Sequence, residues 1–234
     1  MFGVQSYQGL LDQHVARGTL AITARPQLAQ ASQPALKRAL DIVGAGSLLL
    51  MTLPVFLLLA LLVRMDGGPA FYAHERVGRG ARRFGCLKFR SMVTDSAARL
   101  EALLAHDPAA RAEWEATRKL RHDPRITWIG RFLRASSLDE LPQLLNVLRG
   151  EMSLVGPRPV IAAELAAHYG AAAEHYLSVR PGITGLWQVS GRSSTSYATR
   201  VALDVRYATN PSLLGDLRIL LRTPAAVLLR RGAY

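Results

Sequence analysis

The chain has 234 residues, half of them hydrophobic, and carries a formal charge of +12 from 29 Lys and Arg against 17 Asp and Glu. This excess of cations indicates polyanionic partners, and a long uncharged apolar run argues against a soluble nucleic-acid binder, so a membrane surface and phosphorylated substrates are favoured. The single cysteine, Cys86, excludes an intramolecular disulfide, and no cysteine or histidine cluster has the spacing of a metal site.

The first two predicted segments are an N-terminal extension at residues 1–33 and a membrane segment at residues 34–65. The extension has few charges and only short apolar stretches, which is typical of loosely structured chain. Within the membrane segment, residues 42–63 contain no charge and are long enough, at about 1.5 Å per residue, to cross a hydrocarbon core of about 30 Å. The run begins too far into the chain for a signal peptide and is not followed by a small-residue cleavage site.

Two features favour a segment that enters and leaves the membrane on one side. Pro54 lies in the middle of the run, where it removes one backbone hydrogen bond and clashes with the preceding turn. Positive charge flanks both ends of the run, and a single crossing cannot place both ends on the cytoplasmic side. We therefore predict a re-entrant helix broken at Pro54, with a spanning helix as the alternative. The flanking cations are Lys37, Arg38, Arg64, Arg76, Arg79, Arg82 and Arg83.

The remaining residues, 66–234, are predicted to be mainly α-helical with a minor β element. Short apolar and aromatic pieces between glycines at residues 71–90 indicate a hairpin or loops. A glycine-rich stretch at 180–193 indicates a loop with a short strand. Helical composition and spacing extend over residues 94–121 with an interruption at Asp107–Pro108, over 126–148, and over 160–179.

The last predicted element is an amphipathic helix at Leu213–Arg231, punctuated by Pro224. It combines dense aliphatic residues with several arginines, a composition typical of a helix at an anionic membrane surface. An ordinary helix packed on the core is the alternative. The arginines are Arg218, Arg222, Arg230 and Arg231.

The densest polar constellation surrounds Asp139 and Glu140. Ser137 followed three residues later by Glu140 fits a capping box at a helix start, where acidic residues also suit the helix dipole. Pro142 weakens this interpretation, because a helix capped by Ser137 would need the backbone N–H that proline lacks. Local helix rules therefore explain these residues only in part.

A chemical interpretation assigns the two carboxylates different roles. Neighbouring helical positions point about 100° apart, so one carboxylate can attack while the other holds a divalent cation. A carboxylate is a competent nucleophile toward a phosphoryl group whose charge is neutralised. Mg²⁺ suits the second role because it accepts one or two carboxylates together with phosphate oxygens. An adjacent Asp–Glu pair is common, however, and needs further context.

Basic residues in short, restricted segments supply that context. Lys88 and Arg90 flank Phe89, and each alone is more consistent with a solvated surface charge than with a binding role. Arg158 lies between Pro157 and Pro159, which restrict the backbone and favour a guanidinium preorganised for phosphate.

Several runs of this sequence resemble the signature of the bacterial sugar transferases, the monotopic polyprenyl-phosphate phosphoglycosyl transferases. The resemblance covers about residues 34–224, and its central motif, SLDELPQ at 137–143 followed by NVLRGEMSLVGPRP at 146–159, is highly specific. The matching runs also include KRALD at 37–41, ERVG at 75–78, KFRSM at 88–92, RPGITGLWQVSGR at 180–192, Asp204 and Asp216.

The resemblance implies a fold that is mainly α with a minor β element: a re-entrant membrane helix broken at Pro54 plus a cytosolic α/β catalytic domain, residues 66–234, with interfacial amphipathic helices. The family has a small polar residue directly before that proline, whereas this chain has Leu53 there and Thr52 one position earlier. The implied location is the bacterial inner membrane, with the catalytic domain facing the cytoplasm. Membrane lipid is an implied partner, nucleic acid is not, and a homo-oligomer is left open.

The resemblance also implies a ping-pong reaction. Asp139 would attack the β-phosphorus of a UDP-sugar and expel UMP, and polyprenyl phosphate would then take the phosphosugar from Asp139. Glu140 would be the Mg²⁺ ligand. Lys88, Arg134 and Arg158 would steady phosphate charge, and Arg90 is a further candidate for substrate binding. The long motif near Trp187 resembles members that transfer simple hexose 1-phosphates in exopolysaccharide assembly.

Two other functions are weighed against this one. A non-enzymatic membrane-tethered basic scaffold, binding anionic lipid or nucleic acid, explains the charge and the apolar run but gives no reason for the Asp139–Glu140 pair near Arg158. A nucleotide-using kinase is disfavoured because the chain lacks the G-x-x-x-x-G-K-[ST] phosphate loop.

Overall fold

A computed structural model describes residues 35–117, 119–191 and 195–228 of the chain. The described part is mostly helical with a few short strands, which confirms the predicted class of mainly α with a minor β element. Its helices are α1 (Ala35–Arg64), α2 (Ser96–His106), α3 (Pro108–Thr117), α4 (Trp128–Ser136), α5 (Gln143–Arg149), α6 (Ala162–His168), α7 (Ala173–Ser178), α8 (Leu186–Ser190), α9 (Tyr197–Thr209) and α10 (Leu213–Leu228). Its strands are β1 (Phe71–Val77), β2 (Arg83–Phe89), β3 (Ser153–Val155) and β4 (Gly182–Thr184). The predicted extension at residues 1–33 lies outside the described residues.

The strands form two separate pairs. β1 and β2 make the antiparallel hairpin predicted at residues 71–90, with Tyr72 opposite Lys88 and His74 opposite Cys86. Gly80, with φ of 65°, lies in the turn between them, and the turn closes where Gly78 N donates to Arg82 O. β3 and β4 pair in parallel, so residues 153–155 and 182–184 lie side by side although they are far apart in sequence.

Glycines allow the chain to approach itself closely beyond the parallel pair. A side chain on Gly156 would lie 2.4 Å from Arg180 O, and one on Gly182 would lie 2.1 Å from Gly156 N. Neither position has room for a β-carbon. This contact fixes the segment that follows β3, and therefore the backbone of Arg158, against β4.

Helix α1 is long and apolar enough to cross a membrane by length and composition. It runs without interruption from Ala35 to Arg64, so Pro54 does not end the helix and the predicted break is at most a bend within it. Thr52, two residues before Pro54, donates a hydrogen bond from its Oγ1 to Leu48 O. Such a bond from a side chain to the helix backbone favours bending, close to the point where proline removes a backbone hydrogen bond.

The buried residues of α1 form one stripe along the helix. They recur three or four positions apart over much of its length, and the opposite face exposes large aliphatic side chains. The stripe packs on β3, α4 and α5, so α1 lies along the rest of the described domain. The buried residues are Lys37, Asp41, Ala45, Phe56, Leu59 and Val63.

Buried polar contacts anchor the beginning of α1. Lys37 Nζ lies 2.7 Å from Asp216 Oδ2 of α10 and donates to Val155 O of β3 at 3.1 Å. Asp41 Oδ1 accepts hydrogen bonds from Ser153 Oγ at 2.8 Å and from Leu154 N at 2.9 Å. A lysine and an aspartate in this apolar helix thus satisfy the polar groups of β3 and α10.

The other end of α1 is anchored by Arg90, directly after β2. Its guanidinium donates to Val63 O at 2.9 Å and to both carboxylate oxygens of Asp66, and its Nε donates to Pro69 O at 2.8 Å. Both ends of the apolar helix are therefore bonded to the same group of strands and helices.

The other predicted helical regions are present with refinements. The interruption predicted at Asp107–Pro108 separates α2 from α3, and Asp107 Oδ1 accepts from the first backbone N–H groups of α3. The segment 180–193 contains β4 as predicted but also α8, which the glycine-rich sequence does not indicate. Packing of α8 against both α9 and α10 outweighs its weak local helix signal.

The predicted amphipathic helix at the C-terminal end is α10, with Pro224 inside it. One face buries Asp216 and Ile219, and the other exposes leucines. The core-packed alternative is thus present on one face, and the membrane-surface location of the other face stays a prediction. Arg230 and Arg231 lie outside the described residues.

The Lys37–Asp216 pair predicts a large stability loss on single substitution. Lys37→Met leaves the buried Asp216 carboxylate without its cation, and losing one partner of a buried pair costs about 3–5 kcal/mol. We expect the free energy of unfolding, measured in detergent, to fall by that amount. The exposed Arg83–Glu75 pair provides a control, since Arg83→Gln should cost less than about 1 kcal/mol. Equal effects of the two substitutions would contradict the anchoring role of Lys37.

Candidate active site

Asp139 and Glu140 lie in a tight turn between two helices rather than at a helix start. α4 ends at Ser137, whose φ of 59° is left-handed and whose side chain makes no capping hydrogen bond. A single 3₁₀ turn, Leu138–Glu140, follows, and Pro142 directly precedes α5. The capping-box interpretation is therefore wrong, because the reversal at Ser137 makes it the end of α4. Pro142 is tolerated because it comes before the first turn of α5.

Lys88, at the end of β2, lies between the two carboxylates. Its Nζ is 2.7 Å from Glu140 Oε1 and 3.6 Å from Asp139 Oδ2. The Asp139 side chain is 14% exposed, whereas that of Glu140 is 37% exposed. The hairpin thus brings a cation to a turn some fifty residues further along the chain.

The two carboxylates differ in their electrostatic environment. Burial raises the pKa of Asp139, and the Glu140 charge raises it further, against the opposing effect of Lys88. Burial also raises the pKa of Glu140, but the Lys88 and Arg158 charges outweigh it and hold that pKa below its ordinary value. Burial lowers the pKa of Lys88, yet the carboxylates of Glu140 and Asp139 together raise it above its ordinary value. Lys88 therefore stays charged, and Glu140 is the more readily ionised acid.

Arg134 approaches the Asp139 side of the site from α4. The helix is held close to the segment after β2, since a β-carbon on Gly130 would lie 2.0 Å from Ser91 O. Arg134 Nε donates to Ser91 Oγ at 2.9 Å, and the guanidinium charge lowers the pKa of Asp139, although burial, the largest influence, raises it. Its exposed guanidinium can meet an anion that arrives at Asp139.

Arg158 approaches the Glu140 side from the segment after β3. Pro157 and Pro159 on either side of it are buried, whereas Arg158 itself is exposed. Its charge acts on Glu140, and its guanidinium carbon lies 5.9 Å from the centre of the Trp187 ring. The prolines thus hold the backbone while the cation faces outward, as the sequence predicted.

Arg90 does not join this group, in contrast to the prediction that it binds substrate. It is 8% exposed, and its guanidinium bonds to Asp66 and to backbone carbonyls at the end of α1. Because neighbouring residues of a strand point to opposite sides, Lys88 and Arg90 would lie on one side of a regular strand. β2 ends at Phe89, however, and the chain beyond it directs Arg90 toward α1.

The hairpin adds two residues, His74 and Arg76, that the sequence analysis did not assign to this site. Burial lowers the pKa of His74, and the charges of Arg76 and Lys88 lower it further, so His74 is a neutral ring beside the cations. Arg76 pairs with Glu164 of α6 at 3.7 Å. The pairing register of β1 with β2 places His74 near Lys88, and only a correct prediction of that register would have found it.

Metal binding at this turn would depend on a bound substrate. Among the described residues, no group of three or more His, Cys, Asp and Glu side chains is arranged to hold a metal ion. Asp139 and Glu140 provide two carboxylates, a set that suits Mg²⁺ when phosphate oxygens and waters complete its shell. Cys86 lies beneath the site, where burial raises the pKa of its thiol to about 11 and keeps it unreactive.

This arrangement suits chemistry on a phosphorylated substrate. A partly buried carboxylate stands beside a lysine and two outward-facing arginines, and together these three cations can neutralise phosphate oxygens. Once that charge is neutralised, the carboxylate can attack phosphorus. Lys88, Arg134, Arg158, Asp139 and Glu140, all identified from the sequence, are brought together.

Comparison with known proteins matches most of the chain. A family model described as bacterial sugar transferase matches residues 32–230. A UDP-galactose-lipid carrier transferase of Erwinia amylovora is 56% identical over 207 residues, which are 88% of this chain and 43% of that protein. An undecaprenyl-phosphate galactose phosphotransferase of Salmonella typhimurium is 53% identical with the same coverage. An exopolysaccharide production protein, ExoY, of Rhizobium meliloti is 53% identical over 85% of this chain and 88% of its own length. The chain spans less than half the length of the first two relatives.

The position of Lys88 predicts how the pKa of Asp139 responds to its removal. Burial and Glu140 raise that pKa and Lys88 opposes them, so Lys88→Met should raise the pKa of Asp139 further and leave more of it protonated near neutral pH. Carboxyl carbon NMR titration of aspartate-labelled protein measures this shift. Lys119→Met, which removes an exposed lysine, should leave the Asp139 titration unchanged. An Asp139 pKa that stays the same or falls in Lys88→Met would contradict the assigned contact.

Proposed function

Because the chain belongs to the bacterial sugar transferase family, we propose that it transfers a hexose 1-phosphate from a UDP-sugar to undecaprenyl phosphate. The products are undecaprenyl-diphosphate-hexose and UMP. The names of the similar Erwinia and Salmonella proteins, which specify UDP-galactose, a lipid carrier and undecaprenyl phosphate, support these substrates. The name of the Rhizobium protein supports a role in exopolysaccharide production, which we place at the membrane step that begins assembly.

One observation carries the proposed chemistry: Lys88 is shared by two carboxylates whose pKa values are displaced in opposite directions. Groups whose environments separate their pKa values often have separate roles in catalysis. Glu140, the more readily ionised and the more exposed, suits a lasting charge-binding role. Asp139 is more buried, so its negative charge is disfavoured there, and formation of a covalent bond removes that charge.

In the first step, an Asp139 carboxylate oxygen attacks the β-phosphorus of the UDP-sugar. The bond between that phosphorus and the bridging oxygen breaks, and UMP leaves with the bridging oxygen and its electron pair. The product on the protein is a phosphosugar joined to Asp139 as an acyl phosphate. Lys88 and Arg134 stabilise the charge that gathers on the phosphoryl oxygens as the step proceeds.

In the second step, a phosphate oxygen of undecaprenyl phosphate attacks the same phosphorus. The acyl phosphate bond breaks, and Asp139 is restored as a carboxylate. Arg134 and Arg158 face outward on the two sides of the turn, so either can receive the phosphate of the incoming lipid.

We propose Glu140 as the protein ligand for Mg²⁺, with Asp139 close enough to share the ion before attack. When bound, Mg²⁺ would withdraw charge from the diphosphate oxygens and make the phosphorus more susceptible to a carboxylate. Lys88 holds Glu140 at 2.7 Å and so keeps that carboxylate ionised and oriented toward the substrate.

We propose that α1 enters and leaves the membrane on the cytoplasmic side, bending near Pro54. A helix of this length is about 45 Å long and would place its ends on opposite sides of the membrane if it crossed straight. Lys37 near its beginning and Val63 near its end are bonded to the same domain, which supports entry and exit on one side. The location that follows is the bacterial inner membrane, with the catalytic residues in the cytoplasm.

Two further helices support docking at a membrane surface. α4 exposes Trp128 and Phe132, four positions apart on one face, and tryptophan is enriched at membrane interfaces. α10 exposes Leu214, Leu217 and Leu221 on its outer face. The apolar outer face of α1 completes a surface that membrane lipid can cover.

The separate roles of Asp139 and Glu140 predict two different defects. Asp139→Asn should abolish covalent capture of labelled phosphosugar from a UDP-sugar, because the amide cannot act as the nucleophile. Glu140→Gln should still form the adduct, but the Mg²⁺ concentration for half-maximal UMP release should rise at least about tenfold, since even an indirect contact to a metal contributes that much. Intact-mass analysis and a UMP assay measure the two effects.

The matched control for these variants is Asp95→Asn, which changes an exposed aspartate away from the site. It should leave both capture and Mg²⁺ dependence unchanged. Adduct formation by Asp139→Asn would exclude Asp139 as the nucleophile. Failure of the wild-type protein to release UMP from any common UDP-sugar with undecaprenyl phosphate present would favour the scaffold function instead.

The membrane topology predicts the labelling of cysteines placed at both ends of α1. Ala35 and Met65 are exposed. A membrane-impermeant maleimide should label the cysteines of Ala35→Cys and Met65→Cys from the cytoplasmic side only. The native Cys86 is 1% exposed and should contribute little background. Labelling of the two positions from opposite sides would mean that the helix spans the membrane.

A further inference from the structure

A second cluster of polar and aromatic residues lies beyond Arg158, away from Asp139. Its side chains line a small cavity, which we call the ring pocket. The enclosed space is about 30 Å³, which admits one or two hydroxyl groups but not a whole sugar ring. The lining side chains include Arg158, Glu164, Trp187, Tyr197, Arg200 and Asp204.

Aromatic rings hold the cations of the ring pocket in place. The Arg200 guanidinium lies 4.8 Å from the centre of the Trp187 ring and 5.8 Å from that of Tyr197, and Arg158 also lies over Trp187. Tyr197 is itself stacked on His168 with ring centres 3.8 Å apart. Flexible arginines are thereby restricted, so their N–H groups are presented in fixed directions.

Carboxylates supply the acceptors of the ring pocket. Asp204 is buried and accepts a hydrogen bond from Tyr169 Oη at 2.8 Å. Burial raises the pKa of Asp204 to about 7 despite that bond. Glu164 is 41% exposed, pairs with Arg76 and accepts from the backbone of Ile161, so its orientation is also fixed.

Fixed donors and fixed acceptors around one space match the chemistry of sugar hydroxyl groups. Each hydroxyl can donate one hydrogen bond and accept others, so it is satisfied by a guanidinium on one side and a carboxylate on the other. Aromatic side chains provide apolar contact for the C–H groups of the ring. A phosphate would be repelled by the carboxylates, and an apolar chain would form no hydrogen bond with either the guanidinium or the carboxylate groups.

We propose that the ring pocket recognises the hydroxyl groups of a sugar ring of the donor, with the ring at its open mouth. The inference rests on the proposed function, because Arg158 joins the two regions: its charge acts on Glu140, and its guanidinium lines the pocket. Either ring of a UDP-sugar has this chemistry, the hexose on the β-phosphate or the ribose on the α-phosphate. Glu164 and Arg200 are the residues that form hydrogen bonds with its hydroxyl groups.

The test measures binding separately from turnover. In the Asp139→Asn background, which cannot react, UDP-galactose, UDP-glucose and UMP are titrated by calorimetry with and without Glu164→Gln or Arg200→Lys. Each change is conservative, and Glu164→Gln keeps an acceptor for the Ile161 backbone. Arg206→Lys, an exposed position on the same helix as Arg200, is the matched control.

We expect the pocket variants to weaken UDP-galactose binding about tenfold or more, as loss of a hydroxyl contact does in sites built on hydrogen bonds. If UMP binding is unchanged and the preference between the two epimeric donors shifts, the hexose occupies the pocket. If UMP binding weakens equally, the ribose occupies it. Unchanged affinity for all three ligands, or equal weakening by Arg206→Lys, would overturn the inference.

Failure of the proposed function would give a different pattern. A wild-type protein that binds UDP-galactose through the ring pocket but releases no UMP would contradict the reaction and leave the pocket assignment intact. A protein that releases UMP normally in all pocket variants, with unchanged KM for each donor, would retain the reaction and lose the pocket assignment.

Discussion

Two buried cations hold an apolar helix against a polar domain. Lys37 joins the beginning of α1 to β3 and α10, and Arg90 joins its end to the segment after β2. Burying charge is costly, and both residues offset that cost with carboxylate partners, Asp216 and Asp66. These contacts determine which face of α1 packs on the protein. The opposite face exposes large apolar side chains, for which water is an unfavourable environment.

The same contacts place the catalytic turn. Arg90 follows Lys88 by two residues, so the bonds that fasten Arg90 to α1 also fix the end of β2 from which Lys88 reaches Glu140. Lys37 bonds to Val155, three residues before Arg158. Lys88 and Arg158, whose charges both act on Glu140, are thus each a short distance along the chain from an anchor of α1.

The sequence predicted which residues lie together at the candidate site more accurately than it predicted the local structure that holds them. A capping box explains Ser137 and Glu140 only if a helix starts there, and the left-handed backbone of Ser137 instead ends one. That reversal depends on α4 packing onto Ser91 through Gly130, a contact between segments far apart in sequence that no local rule contains. Lys88 and Arg90 look equivalent in the sequence for the same reason, since only the end of β2 at Phe89 separates their roles. Arg158, Trp187 and Asp204 stand in motifs of the sequence, but the sequence does not predict that they line one pocket, because the walls of the ring pocket come from three separate helices and the segment after β3.

The formal charge of +12 acquires a different meaning once the cations are located. Lys37 and Arg90 are buried and pair with the carboxylates of Asp216 and Asp66, so they contribute little to attraction at the surface. Lys88, Arg134 and Arg158 act instead on Asp139 and Glu140. In the proposed reaction their charges would offset the repulsion between these two acids and a diphosphate. Under the proposed reaction, this part of the positive charge follows from the use of a carboxylate as nucleophile: an enzyme that attacks phosphate with an anion must supply more positive charge nearby than one that attacks with a neutral group.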